Sequence, residues 1–194
     1  MFADTPSITL RDPLAELLGA GDMEFRYTFN DAVKLAGHAC PTVAGAFLLV
    51  KRALELLYPD TLPVRGEVTI TVPGRMEEGV TGPITQIFTL VSGAAASNGF
   101  KGLAGQYNRM HLMRFQDGNA GPYLFERMAS GRKVALSYSP VAFPPAPRMG
   151  ELMPKVLSHQ ASPEERQEFG QLWRHRVEAI LADGGARSVM QHEG

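Results

Sequence analysis

Pro41 fixes where the longest apolar helix of this chain begins, and so fixes the surroundings of its only cysteine. Positions 42–58 carry Val43, Phe47, Val50, Leu54 and Leu57 at three- and four-residue spacing, the period of a helix with one buried face. Proline is favoured at the first helical position, where its missing N–H costs nothing. Cys40 then falls at the N-cap, where free backbone N–H groups and the positive end of the helix dipole favour an anion. A thiol there is biased towards thiolate, the form that attacks electrophiles and binds metals. His38, two residues earlier, can serve as a proton partner or a second ligand. The residues also allow a plainer reading, a small buried cysteine beside a turn histidine.

The string Gly37-His38-Ala39-Cys40-Pro41, followed by an alanine- and leucine-rich helix, resembles the Gly-His-x-Cys-Pro signature of the FmdE-like family of formylmethanofuran dehydrogenase components. The resemblance extends more weakly over residues 30–140. Gly79-Val80-Thr81-Gly82-Pro83-Ile84 is similar to the Gly-Val-Asp-Ala-Ile-Gln stretch near which a family helix begins, and 97–102 resembles the glycine- and lysine-bearing loop after it. The resemblance implies a metal or thiol site at Cys40 and His38, with one-carbon or molybdenum/tungsten enzyme systems as its setting. It also implies Lys101 as a cofactor-binding neighbour that favours the Cys40 thiolate. Family members often carry a second histidine before the motif and further cysteines near the second helix. Ala36, Glu78 and Ala94 or Ala95 stand in those places here, and the family's C-terminal cysteine-rich zinc module is absent.

Composition limits what such a site can serve. With 194 residues, 44% hydrophobic and 20% charged, the chain can bury a full core as one domain with an appendage. A net charge of −1 without a lysine- or arginine-rich run argues against nucleic acid and against a polybasic membrane contact. One cysteine forms no internal disulfide, which fits a reducing compartment. The first residues lack a basic segment followed by an apolar one, so no signal peptide is evident. The longest apolar run, 43–50, is short of the ~20 residues that span a bilayer. These features lead to the expectation of a soluble cytoplasmic protein that binds or acts on a small molecule, without nucleic acid or membrane.

The hydropathy pattern predicts an α+β fold: a mixed or antiparallel sheet packed by helices, with a proline-rich arm and a C-terminal helical extension. Asp12-Pro13 opens a short helix that Gly19 and Gly21 end; 24–29 reads as a brief strand; Asn30 suits an N-cap for a second short helix. Residues 64–72 alternate as a half-buried strand, and Gly82-Pro83 starts a helix that Asn98-Gly99 ends. Residues 107–115 alternate again, placing Tyr107, Arg109 and His111 on one face. After Gly118-Asn119, segments 123–128 and 133–138 read as a hairpin about Ser130-Gly131. The core domain is expected over 1–140. From Pro140 onwards, prolines 144, 145 and 147 mark an extended arm leading to the capping box Ser162-Pro163-Glu164-Glu165 and a helix whose stripe includes Trp173. That 141–194 extension can fold back on its own domain or form a homodimer by crossing to a partner.

A closed structural zinc site needs four ligands, usually in paired spacings, and one cysteine without Cys-x-x-Cys argues strongly against one within a single chain. An open site for zinc or another transition metal remains, with His38 and Cys40 as two ligands and a third from His111, then Glu78, or from Glu77. Each of these three also reads as an ordinary surface residue. The glycines about Lys101 do not form a phosphate loop, because they follow a helix C-terminus rather than preceding an N-terminus. No Gly-x-Ser-x-Gly elbow is present. His159, His175 and His192 read as surface residues. The function read from these features is a metal- or thiol-dependent small-molecule protein with Cys40 and His38 as catalytic residues. The alternatives are a non-catalytic metal-carrying or assembly protein, and a structural component with an inert cysteine.

Overall fold

Val68, Ile70 and Val72 alternate with threonines, and in the computed structural model they form the buried face of a strand, β3 (Val68–Pro73). The described residues are 1–20, 23–118 and 120–193; Gly21 and Asn119, both expected at turns, lie outside them. Around β3 are β4 (Met113–Gln116), β5 (Tyr123–Arg127), β6 (Arg132–Tyr138) and β7 (Val189–His192), in the order β4-β3-β5-β6-β7. The β3–β4 pair is parallel and the others are antiparallel, so the sheet is mixed. A two-stranded sheet pairs β1 (Ser7–Arg11) with β2 (Glu24–Thr28). The helices are α1 (Pro13–Leu17), α2 (Phe29–Ala36), α3 (Pro41–Leu57), α4 (Thr81–Ser92), α5 (Pro147–Leu157) and α6 (Pro163–Asp183). The fold is α+β.

The helix that starts at Pro41 is the centre of the core. Val43, Phe47, Leu48, Leu49, Val50, Leu54 and Leu57 are all buried, because α3 is covered by α4, α6 and the sheet rather than on one face alone. Val177, Ile180 and Leu181 of α6 join this same core, and β7 extends the sheet by pairing with β6. The C-terminal segment therefore folds back and completes the core and sheet of the residues before it. No described helix is long and apolar enough to cross a membrane.

Five local expectations give way to tertiary demands. The strand expected over 64–72 begins at Val68, not Val64, because Gly66 takes a left-handed φ of 86°. Helix α4 stops at Ser92, where Gly93 supplies the left-handed cap, well before Asn98. Only Met113–Gln116 of the 107–115 segment is strand; Tyr107 and His111 have φ of 57° and 62°, which no strand adopts. The proline arm is shorter than expected, since Pro147 occupies the first turn of α5 and its Met149 and Leu152 are buried. Thr28, with Asp31 reaching back, forms the capping box of α2, while Asn30 bonds the backbone of Phe2 in both directions.

Candidate functional site

Gly37, left-handed at φ 75°, ends α2 and turns the chain towards α3. Cys40 is the N-cap of α3 and Pro41 its first residue; the Cys40 Sγ accepts the Val43 N–H at 3.4 Å, as a cap oxygen would. The thiol is half-buried. His38 is exposed, and its Nδ1 lies 3.0 Å from the Ala36 carbonyl. A carbonyl only accepts, so this contact assigns the proton to Nδ1 and leaves the Nε2 lone pair free. No hydrogen bond joins His38 to Cys40 among the described residues.

Two remote side chains hold this turn. The indole N–H of Trp173, from α6, donates to the Ala39 carbonyl at 2.8 Å. The Tyr138 hydroxyl, at the end of β6, donates to the Pro41 carbonyl at 2.8 Å. Burial pushes the Tyr138 phenol up to about 12, opposed by the Arg176 guanidinium and reinforced by Cys40, so it remains a donor. Backbone carbonyls on both sides of Cys40 are thus satisfied by groups 97 to 134 residues away in sequence. Phe169 backs the Trp173 ring at a centroid distance of 5.8 Å.

The other expected site residues do not gather here. Strand register places Tyr138 level with Gly74 and His111 level with Val68, about 20 Å apart along the strands at ~3.3 Å per residue. His111 also lies in an exposed turn rather than mid-strand, with its N–H bonded to the Ala96 carbonyl. It cannot share an ion with Cys40 of the same chain. Lys101 is exposed in the loop between α4 and β4, beside Phe100, whose carbonyl accepts from Arg109 and Met110; it stands at His111's end of the sheet and makes no ion pair among the described residues. Glu78 follows β3 at the Cys40 end, but its Oε2 accepts the Arg75 N–H at 3.2 Å and closes its own turn. Glu77 pairs with Arg75 at 3.6 Å. Among the described residues, no three His, Cys, Asp or Glu side chains form a group that could hold a metal ion. His159, His175 and His192 are exposed.

Tyr138 and Trp173 are the site residues that sequence reasoning missed. One signal was present: Gly45 interrupts a helix of large apolar residues, and a glycine there marks a close approach, in this case by the Tyr138 ring. Searched against protein-family models and against curated proteins, the chain matches none.

Proposed function

We propose that the 37–41 turn is a thiol and metal site of the kind found in the FmdE-like family of formylmethanofuran dehydrogenase components. Cys40 Sγ and His38 Nε2 are its donors, and zinc or another transition metal its ion. The observation that carries this reading is the division of labour in the turn. Trp173 and Tyr138 bond the carbonyls flanking Cys40, whereas the thiol is half-buried and the His38 ring exposed. Such support preorganises a site from outside its reactive groups. The His38 Nδ1–H to carbonyl contact is the arrangement that orients a metal-binding histidine through its other nitrogen. Two protein donors are one short of the three that hold a catalytic zinc, so the third ligand of this site comes from a bound small molecule or a partner subunit, with water at the open position. Without metal, the same pair serves as a thiol nucleophile with a nearby base. The family's setting makes one-carbon or molybdenum/tungsten enzyme systems the place to look for its substrate.

A second reading, a metal-carrying or assembly protein without turnover, is favoured by the same scarcity of donors. An ion held by two side chains on an exposed turn is readily handed on. Elemental analysis after zinc incubation tests both. The wild type should retain about one zinc per chain, with Cys40→Ser and His38→Ala falling towards zero. Retention unchanged in either variant, or none in the wild type, removes the metal and leaves only the thiol. Turnover on one-carbon substrates then separates enzyme from carrier.

A further inference from the structure

A cavity of about 500 Å³ opens at the end of the sheet opposite Cys40, lined by Arg65, Gly66, Glu67, Tyr107, Asn108 and Arg109. Its size falls within the roughly 300–1,000 Å³ of small-molecule sites. The Arg109 side chain is only 7% exposed. One of its nitrogens, Nη2, donates to Asp12 Oδ1 at 2.7 Å, while Nη1 is buried with no hydrogen-bond partner. Nη1 lies over Gly66, so close that a Cβ there would overlap it, and Gly66 is part of the cavity wall. Each Arg65 nitrogen is engaged: Nη1 on Asp12, and Nε and Nη2 on carbonyls at the end of α4. The guanidinium nitrogen without any partner at this wall therefore belongs to Arg109. Tyr107 and Asn108 add backbone N–H groups that have no partner among the described residues.

The charges here do not cancel. Arg65 and Arg109 share the single carboxylate of Asp12. Glu67, the acid in the lining, accepts from Tyr58, whose ring carries the Arg127 guanidinium 4.1 Å from its centroid. Counting both clusters leaves one positive charge. Besides Gln106, the remaining lining residues, Pro13, Val64, Leu112 and Met128, are apolar. We infer that this cavity binds a singly charged organic carboxylate, its carboxyl pairing with the Arg109 guanidinium at the Gly66 wall and accepting from the Tyr107 and Asn108 N–H groups, and its apolar body lying along Leu112 and Met128. Guanidinium donors suit planar carboxylates, and one negative charge completes the balance that Asp12 leaves short. The inference is independent of the Cys40 site.

Benzoate, its neutral isostere benzamide, and inorganic phosphate are the probes, followed by calorimetry and by amide NMR shifts of the full chain. Benzoate should bind about tenfold more tightly than benzamide, the ratio that one charge-assisted hydrogen bond supplies. It should shift Gly66, Tyr107 and Asn108 and leave 37–41 unmoved. Arg109→Lys, keeping the charge but losing the fork, should weaken benzoate by a similar factor. Met128→Trp, at a position 47% exposed, narrows the cavity without touching the ion cluster and should weaken benzoate even if the arginine variant does not fold. Equal binding of benzamide, equal binding of phosphate, shifts elsewhere, or full benzoate affinity in Met128→Trp each overturns the assignment.

Discussion

The ring of Tyr138 lies against Gly45 of the central helix, so close that a Cβ at position 45 would overlap three ring carbons. That contact brings the end of β6 onto the first turn of α3, and the Tyr138 hydroxyl then reaches the Pro41 carbonyl. The geometry of the Cys40 turn therefore depends on a missing side chain one helical turn further on.

Gly45→Ala should destabilise the protein, although alanine is the better helix former by about 1 kcal/mol. Overpacking against the Tyr138 ring is expected to cost about 1–3 kcal/mol and to win. Urea denaturation reads the sign. Tyr138→Leu in the same chain should recover part of the loss, because the two positions touch. A stabilised single variant would mean that the ring does not occupy this space.

Alkaline pH should expose the buried phenols. Tyr58 is pushed up to about 12 by burial and by Glu67, and Tyr138 to about 12 chiefly by burial. Unfolded tyrosine titrates near ~10, so above that pH the unfolded chain releases protons that the folded chain retains. The stabilisation is complete below pH ~10 and is lost as pH rises towards 12. Tyr138→Phe and Tyr58→Phe should each flatten this decline in urea midpoints measured from pH 9 to 12. An identical slope in both variants rules out the phenols as its source.

Trp173→Phe keeps an aromatic ring beside Phe169 but removes the N–H that Ala39 accepts. Circular dichroism should be unchanged, while iodoacetamide labels Cys40 severalfold faster in the loosened turn. The loss of one hydrogen bond should lower stability by about 0.5–1.5 kcal/mol. An unaltered labelling rate would show that the indole only packs.

Asp12→Asn retains a helix cap for α1 but leaves the Arg109 and Arg65 guanidinium groups without their carboxylate. Breaking a buried pair from one side costs about 3–5 kcal/mol. The urea midpoint should fall accordingly, far more than for Glu77→Gln at the exposed Arg75 pair.

Deleting residues 159–194 removes Val177, Ile180 and Leu181 from the core and the pairing partner of β6. Cooperative thermal unfolding should disappear, with apolar surface exposed on α3. Sedimentation and a melting curve distinguish this from the alternative, in which a folded chain merely changes its oligomeric state.

Local chemistry determined much of the secondary structure before any packing. Cys40-Pro41 forces the start of α3, Ser162 with Glu165 closes a capping box at α6, and the alternation about Ser130-Gly131 forms the β5–β6 hairpin. These signals act over a few residues, so the sequence displays them directly. The candidate site was legible only as far as His38 and Cys40, which are neighbours on one turn. What that turn rests on was not, because Tyr138 and Trp173 reach it from 97 and 134 residues away. The same distance hid the separation of His111 from Cys40: the 107–115 alternation suits a strand, but the loop paid for the buried Arg109–Asp12 contact with left-handed turns at Tyr107 and His111. Nor does a four-residue strand at the C-terminus, β7, announce itself, since its pairing exists only once α6 has folded back. Tertiary structure decided these features because each is stabilised by a partner that the local sequence does not contain.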